Sequence, residues 1–409
     1  MTSTNILRAI REPVLKWLET LRIDGSRFRY RFSKTSGDSL FTTCFALFIL
    51  DLFKETDNLS DREKSAWADY IKRFQREEDG LFYPDPVYHP DKERAIFQAT
   101  CFCLSALSIL GEKPKYRLSV VDSWKTNESV EKYLMDRGCH LGYSGSGNKA
   151  MFQAIFLTHA YENTGDERLL EAMEDWFAFH NGHQNRRGFW GRGERGRLYA
   201  GLQNAFHQYV IYEYWERAYP RIETVAETVL RLQDREGYFA PTPGGDSCKD
   251  YDSIHMVLSH PGIGFQIRNK DRLEKSVLAI MKCRNTDGGF CDKNKYGRIY
   301  NIPYVLLYLL RDTPRDIRRV RSEKIMKSIL KRKYQNDRRW VKEKQPFQES
   351  TLWDTWFRCL TLAELDCALS NNGFDGFRFH THIGLGYNAI TKHQPSARYP
   401  VNEGDSEAH

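Results

Sequence analysis

One short event recurs seven times along this chain, about every fifty residues. A Gly-aromatic turn leads into an apolar helix whose first turn carries one polar residue. Those polar residues are Thr42, Gln98, Gln153, Gln203, Asp252, Asn301 and Asp354. A fixed period of this length marks an array of one supersecondary unit, and stacked units share a continuous core. Equivalent helix ends in a closed array surround one central space, so this polar column is where function is expected.

Each unit reads as an outer helix, a loop and an inner helix. The apolar spacing predicts outer helices over 4–22, 60–76, 127–137, 167–181, 219–233, 270–284 and 321–334. It predicts inner helices over 38–54, 94–110, 148–163, 200–216, 250–260, 299–312 and 351–369. Strand-like alternation is nearly absent. The expected fold is all-α: a single α/α toroid of six or seven hairpins over residues 1–390, followed by a polar, disordered tail over 391–409.

Composition adds limits. The 409 residues suffice for a large core, and 28% charged residues with 41% hydrophobic ones suit a soluble globular chain. The net charge of +7 is a mild excess and does not establish a nucleic-acid binder. Nine scattered cysteines, mostly within apolar helices, suggest reduced thiols and a cytoplasmic setting. No signal peptide is evident, and no apolar run approaches a membrane span. The first helix is amphipathic, with Ile6, Leu7, Ile10, Val14, Leu18 and Leu21 on one face. That face packs on the toroid in one reading and touches a membrane surface in another.

The hairpin loops also resemble one another: Asp79-Gly80-Leu81-Phe82, Gly188-Phe189-Trp190, Glu236-Gly237-Tyr238-Phe239 and Asp287-Gly288-Gly289-Phe290. Gln75 and Gln233 precede two of them, placed to bond exposed carbonyls at a helix end. These loops resemble degraded Gln-Trp repeats of the terpenoid cyclases. The array resembles the α/α toroid shared by those cyclases and the protein prenyltransferase β subunits, over about residues 27–369. Seven hairpins are counted here, one more than that toroid has.

The most specific match is Asp250-Tyr251-Asp252-Ser253, which is similar to the Asp-x-Asp-Asp of class II terpene cyclases. The resemblance implies that Asp252 protonates an alkene or epoxide, with Asp250, Ser253 and His255 around it. The prenyltransferase zinc ligands fall at Asp250, Asp252 and Asp354, without thiolate or imidazole, so zinc-dependent thiol prenylation is disfavoured. No metal site is expected. No cofactor is essential either, and Mg2+ enters only if the substrate carries a diphosphate.

Read from the residues alone, Asp252 and Asp354 are helix caps or proton-transfer carboxylates. The glutamines are poor caps, which favours a cavity lining for Gln98, Gln153 and Gln203. Tyr251, Tyr300 and Trp353, with Asn301, would shape a substrate or merely fill space. Arg192 and Arg195, in an arginine-rich loop, would grip an anion or face solvent. Three functions follow: a terpenoid-cyclase-like enzyme acting on an isoprenoid; a carbohydrate-active toroid using Asp252 and Asp354; or a non-catalytic binding toroid. The expected partner is a small molecule rather than nucleic acid. Oligomeric state is not legible.

Overall fold

The computed structural model describes residues 4–86, 89–191, 198–294, 302–311, 318, 321–322, 325–326, 334–335, 340–369, 376–379 and 382–384. The expectations for Arg192, Arg195, Tyr300, Asn301 and the tail 391–409 lie outside the described residues.

Helices dominate. The outer members are α1 (Thr4–Thr20), α3 (Asp61–Lys72), α5 (Asn127–Asp136), α7 (Glu167–His183), α9 (Ile222–Leu230) and α12 (Lys270–Met281). The inner members are α2 (Leu40–Leu52), α4 (Lys92–Ile109), α6 (Ser146–Thr164), α8 (Leu198–Tyr214), α10 (Ser247–Leu258) and α14 (Leu352–Leu369). Composition sorts the two sets. The outer helix α3 buries only Trp67, Ala68 and Ile71, one stripe on a charged cylinder, whereas α2 is buried almost all round. The short α11 (Ile263–Arg268) joins the α10 hairpin to α12. A two-stranded antiparallel pair, Tyr334–Gln335 with Gln345–Pro346, is the only sheet among the described residues.

The inner helices close into a ring. α2 packs on α4, α4 on α6, α6 on α8, α8 on α10, α10 on α14, and α14 back on α2. Among the described residues, six hairpins therefore make the ring. The seventh candidate inner helix, α13 (Ile302–Arg311), is not part of that ring among the described residues. Its Tyr308 packs in a separate small cluster with Ile325, Val305, Leu309 and Phe347, while Leu306 and Leu310 are exposed. The main core runs from Ile6 to Ile383.

The stripe of α1 is spent on the toroid. Ile6, Ile10, Val14, Leu18 and Leu21 are buried, and the helix packs against α14. No described helix is long and apolar enough to cross a membrane.

The loop glutamines lock neighbouring hairpins together. Gln75 Nε2 donates to the carbonyls of Gly80 at 2.8 Å and Tyr116 at 2.7 Å, while its Oε1 accepts from the amides of Lys115 and Tyr116. Gln233 likewise reaches Arg272 and Ser276 of the next hairpin. Gln184 does the same at Gly188 and Pro220, a third copy that the sequence motif did not reveal. Gly80 (φ +73°) sits where a Cβ would lie 1.9 Å from the Arg117 carbonyl oxygen, so only glycine lets these hairpins meet.

Candidate active site

Inside the ring, at the N-terminal halves of the inner helices, lies a cavity of about 90 Å³. One water fills roughly 10–15 Å³ on such a measure, so the space takes an organic group. Its walls differ. Phe102, Phe206, Tyr251, Trp353, Trp356 and Phe357 form an aromatic side, and Arg94, Gln98, Asn148, Gln203 and His207 form a polar one. Asp252 and Cys248 line it from α10, one helical turn apart.

The aromatic side is continuous. Ring centroids stand 4.5 Å apart for Trp353–Phe357, 4.6 Å for Trp356–Phe357, 5.3 Å for Tyr251–Phe357 and 5.5 Å for Phe206–Tyr251. The polar side is held by a chain of bonds. Arg94 Nη2 donates to Asn148 Oδ1 at 3.2 Å, and Asn148 Nδ2 lies 2.6 Å from His207 Nε2. His207 Nδ1 faces the Gln203 carbonyl, an acceptor only, so the proton sits on Nδ1 and Nε2 accepts from Asn148. Burial lowers the His207 pKa to about 4, which keeps that imidazole neutral at pH 7.

Asp252 is the only carboxylate among the described lining residues, and it is 3% exposed. Its carboxyl has no hydrogen-bond or ion-pair partner among the described residues. Burial pushes its pKa well above the usual carboxylate range; Asp246 and Asp250 push the same way, against Lys249 and His255. Burial of this kind favours the protonated form of a carboxyl.

The neighbours expected to share its chemistry do other things. Asp250 does not line the cavity. Its carboxylate accepts from the amides of Phe239 at 2.8 Å, Ala240 at 3.2 Å and Asp246 at 3.1 Å, and pairs with buried Arg358 at 2.6 Å. It is a structural anion that ties loop 239–246 to α14. Ser253 turns back to the Lys249 carbonyl of its own helix. Asp354 accepts from Ser247 Oγ at 2.6 Å and Thr351 Oγ1 at 2.7 Å, so it serves a helix start and not the cavity.

His255 also lies off the cavity, wedged between Glu364 at 2.7 Å and Glu213 at 3.0 Å. Burial disfavours its charge, yet the two carboxylates outweigh burial and hold its pKa at about 9, up from 6.5. Both ring nitrogens therefore donate. Because the folded value is raised, this stabilisation is complete below pH 6.5 and disappears as pH rises to about 9. Wild-type protein is expected to lose on the order of 3 kcal/mol across that window, by linkage. His255→Gln should flatten this part of the curve in denaturant melts taken from pH 6 to pH 10.

The polar column thus divides. Gln98, Gln203 and Asp252 line the cavity, as do Tyr251 and Trp353 beside the column. Thr42 completes a capping box with Ser39, so capping explains more of the column than its glutamines suggested. Gln153 is fully buried away from the cavity, its amide without a partner among the described residues. Arg94, Phe102, Asn148, Phe206, His207, Trp356 and Phe357 were missed. All but Asn148 lie three or four residues from a column member or from Trp353, so helical spacing around the column could have found those.

Among the described residues no three His, Cys, Asp or Glu side chains are grouped to hold a metal ion. A family model for the prenyltransferase alpha-alpha toroid domain matches residues 20–163, 101–298 and 268–367. The chain belongs to that family. Each match spans several hairpins of this toroid, and successive matches overlap. No curated protein matches. Among solved structures, a polysaccharide lyase is similar at 11% identity, over 89% of this chain and 96% of that one, with a TM-score of 0.40.

Proposed function

We propose that this toroid starts the cyclisation of an isoprenoid by protonation, with Asp252 as the acid. One observation carries the reading: a single buried, unpartnered carboxyl faces an aromatic-walled cavity. The Asp252 O–H bond breaks as the π electrons of a substrate double bond take the proton, and the adjacent carbon becomes cationic. A second double bond attacks that carbon and closes a ring. A proton then leaves a carbon beside the last cation to water, and Asp252 is reprotonated from solvent. The net change is an isomerisation, with nothing oxidised or reduced.

The aromatic wall suits the intermediate. Ring faces attract a cation within about 6 Å, and Tyr251, Trp353, Trp356 and Phe357 surround the space beside Asp252. The polar side, with Gln98 and Gln203, would take the substrate's polar end. The chemistry has no essential metal; Mg2+ would accompany only a diphosphate headgroup.

A second reading is a carbohydrate-active enzyme, and the amide wall of Gln98, Asn148 and Gln203 favours it, because amides suit hydroxyl groups. Its base would not be Asp354, which is committed to Ser247 and Thr351. The test is incubation in D2O with linear polyprenols, their diphosphates and a set of oligosaccharides. Cyclic products carrying one carbon-bound deuterium support the cyclase. Cleaved glycan with untouched isoprenoids would replace it with the second reading.

A further inference from the structure

Cys248 lines the same cavity as Asp252, one turn before it on α10. It is half-buried, while the other eight cysteines are buried. Side chains four residues apart on a helix stand side by side, with about 5–6 Å between Cβ atoms. The Cys248 thiol also donates to Asp246 Oδ1 at 3.3 Å. Lys249 pairs with that same carboxylate and lies within electrostatic reach of the Cys248 sulfur. An ammonium beside a cysteine favours the thiolate, which is the form that attacks carbon.

The two carboxyls that flank this thiol are pushed opposite ways. Burial disfavours charge on Asp246, yet Lys249 and Lys293 outweigh burial and hold its carboxyl well below the usual range, as an ionised acceptor. At Asp252 burial prevails and favours the proton. The start of α10 therefore sets a nucleophile between an acceptor for its own proton and a donor for the electrophile. The cyclisation steps leave Cys248 without a task.

We propose that Cys248 is a covalent capture site for α,β-unsaturated carbonyl compounds small enough to enter the cavity, and that Asp252 assists their addition. The sulfur attacks the β-carbon, and the thiol proton passes to Asp246 and on to water. As the S–C bond forms, the π pair of the double bond moves toward the carbonyl as an enolate. The enolate takes the Asp252 proton at its α-carbon, and Asp252 is reprotonated from solvent. The net change is addition of S–H across C=C, with nothing oxidised or reduced. The proposal uses the protonated Asp252 of the previous section and is independent of what the toroid cyclises.

Two reagents tell acid assistance from mere access. Methyl vinyl ketone needs a proton to complete its addition. Iodoacetamide alkylates a thiolate by expelling iodide and needs none. Peptide mass spectrometry follows the Cys248 adduct of each at pH 7, in wild type and in Asp252→Asn. Wild-type Cys248 should react with both reagents ahead of the eight buried cysteines. Asp252→Asn should slow the ketone by about tenfold or more, as loss of a positioned acid does, and leave the iodoacetamide rate nearly unchanged. Equal slowing of both reagents, or of neither, would remove Asp252 from the addition and overturn the proposal. So would a wild-type Cys248 that reacts no faster than the buried cysteines. Neither readout involves an isoprenoid, so failure here and failure of the cyclase reading are separate results.

Discussion

Asp252→Asn is expected to reduce turnover by about 10²–10⁴-fold, the range for loss of a general acid, without loss of stability. Asparagine keeps the shape and removes the proton. The folded pKa of Asp252 is raised, so its stabilising effect is complete below the unfolded value near 3.8 and is lost as pH rises through the folded value. At neutral pH and above, a neutral amide should therefore fit this buried site at least as well as the carboxyl. Thermal melts of the variant at pH 8 should match or exceed those of wild type. Activity of the wild type should fall as pH rises through the Asp252 pKa, because the acid acts only while protonated. Retained turnover in the variant would remove Asp252 from the chemistry.

The same substitution two residues earlier should do the opposite. Asp250→Asn leaves the Arg358 guanidinium, whose side chain is 0% exposed, without its anion. Breaking a buried pair on one side costs about 3–5 kcal/mol. The three backbone amides that Asp250 accepts from lose charge-assisted bonds as well. The expected result is a protein that melts far below wild type, with loop 239–246 open to protease before the rest of the toroid. Asp250→Ala should be worse, since no acceptor remains. A stable Asp250→Asn with wild-type melting would contradict the structural role assigned to this carboxylate.

These two aspartates show what the sequence could and could not disclose. Position on the helix pointed to Asp252, as it did to Gln98 and Gln203, although Thr42, Gln153 and Asp354 of the same column do not line the cavity. Nothing local distinguished Asp250, whose partner Arg358 is 108 residues away. His255 and Glu364 are 109 residues apart, and Ser247 and Asp354 are 107 apart. Such partners are joined only when α10 and α14 become neighbours, and no spacing in the chain announces that.

The ring size has a similar lesson. α13 carries the same apolar spacing as the true inner helices, with Val305, Tyr308 and Leu309 on one face. Periodicity locates a face that packs; it does not say what packs on it. Direct contact of α10 with α14 closes six hairpins and leaves α13 outside. The outer helices were easier, since one-sided stripes such as Trp67, Ala68 and Ile71 on α3 can only face inward.

The central claim is that Asp252 carries a proton inside the cavity at neutral pH. Infrared difference spectroscopy of wild type against Asp252→Asn in D2O reads this without any substrate. The account predicts a protonated-carboxyl C=O band at pH 7 that is absent from the variant, and that gives way to carboxylate bands only at higher pH. A difference spectrum showing only ionised carboxylate at pH 7 would contradict it.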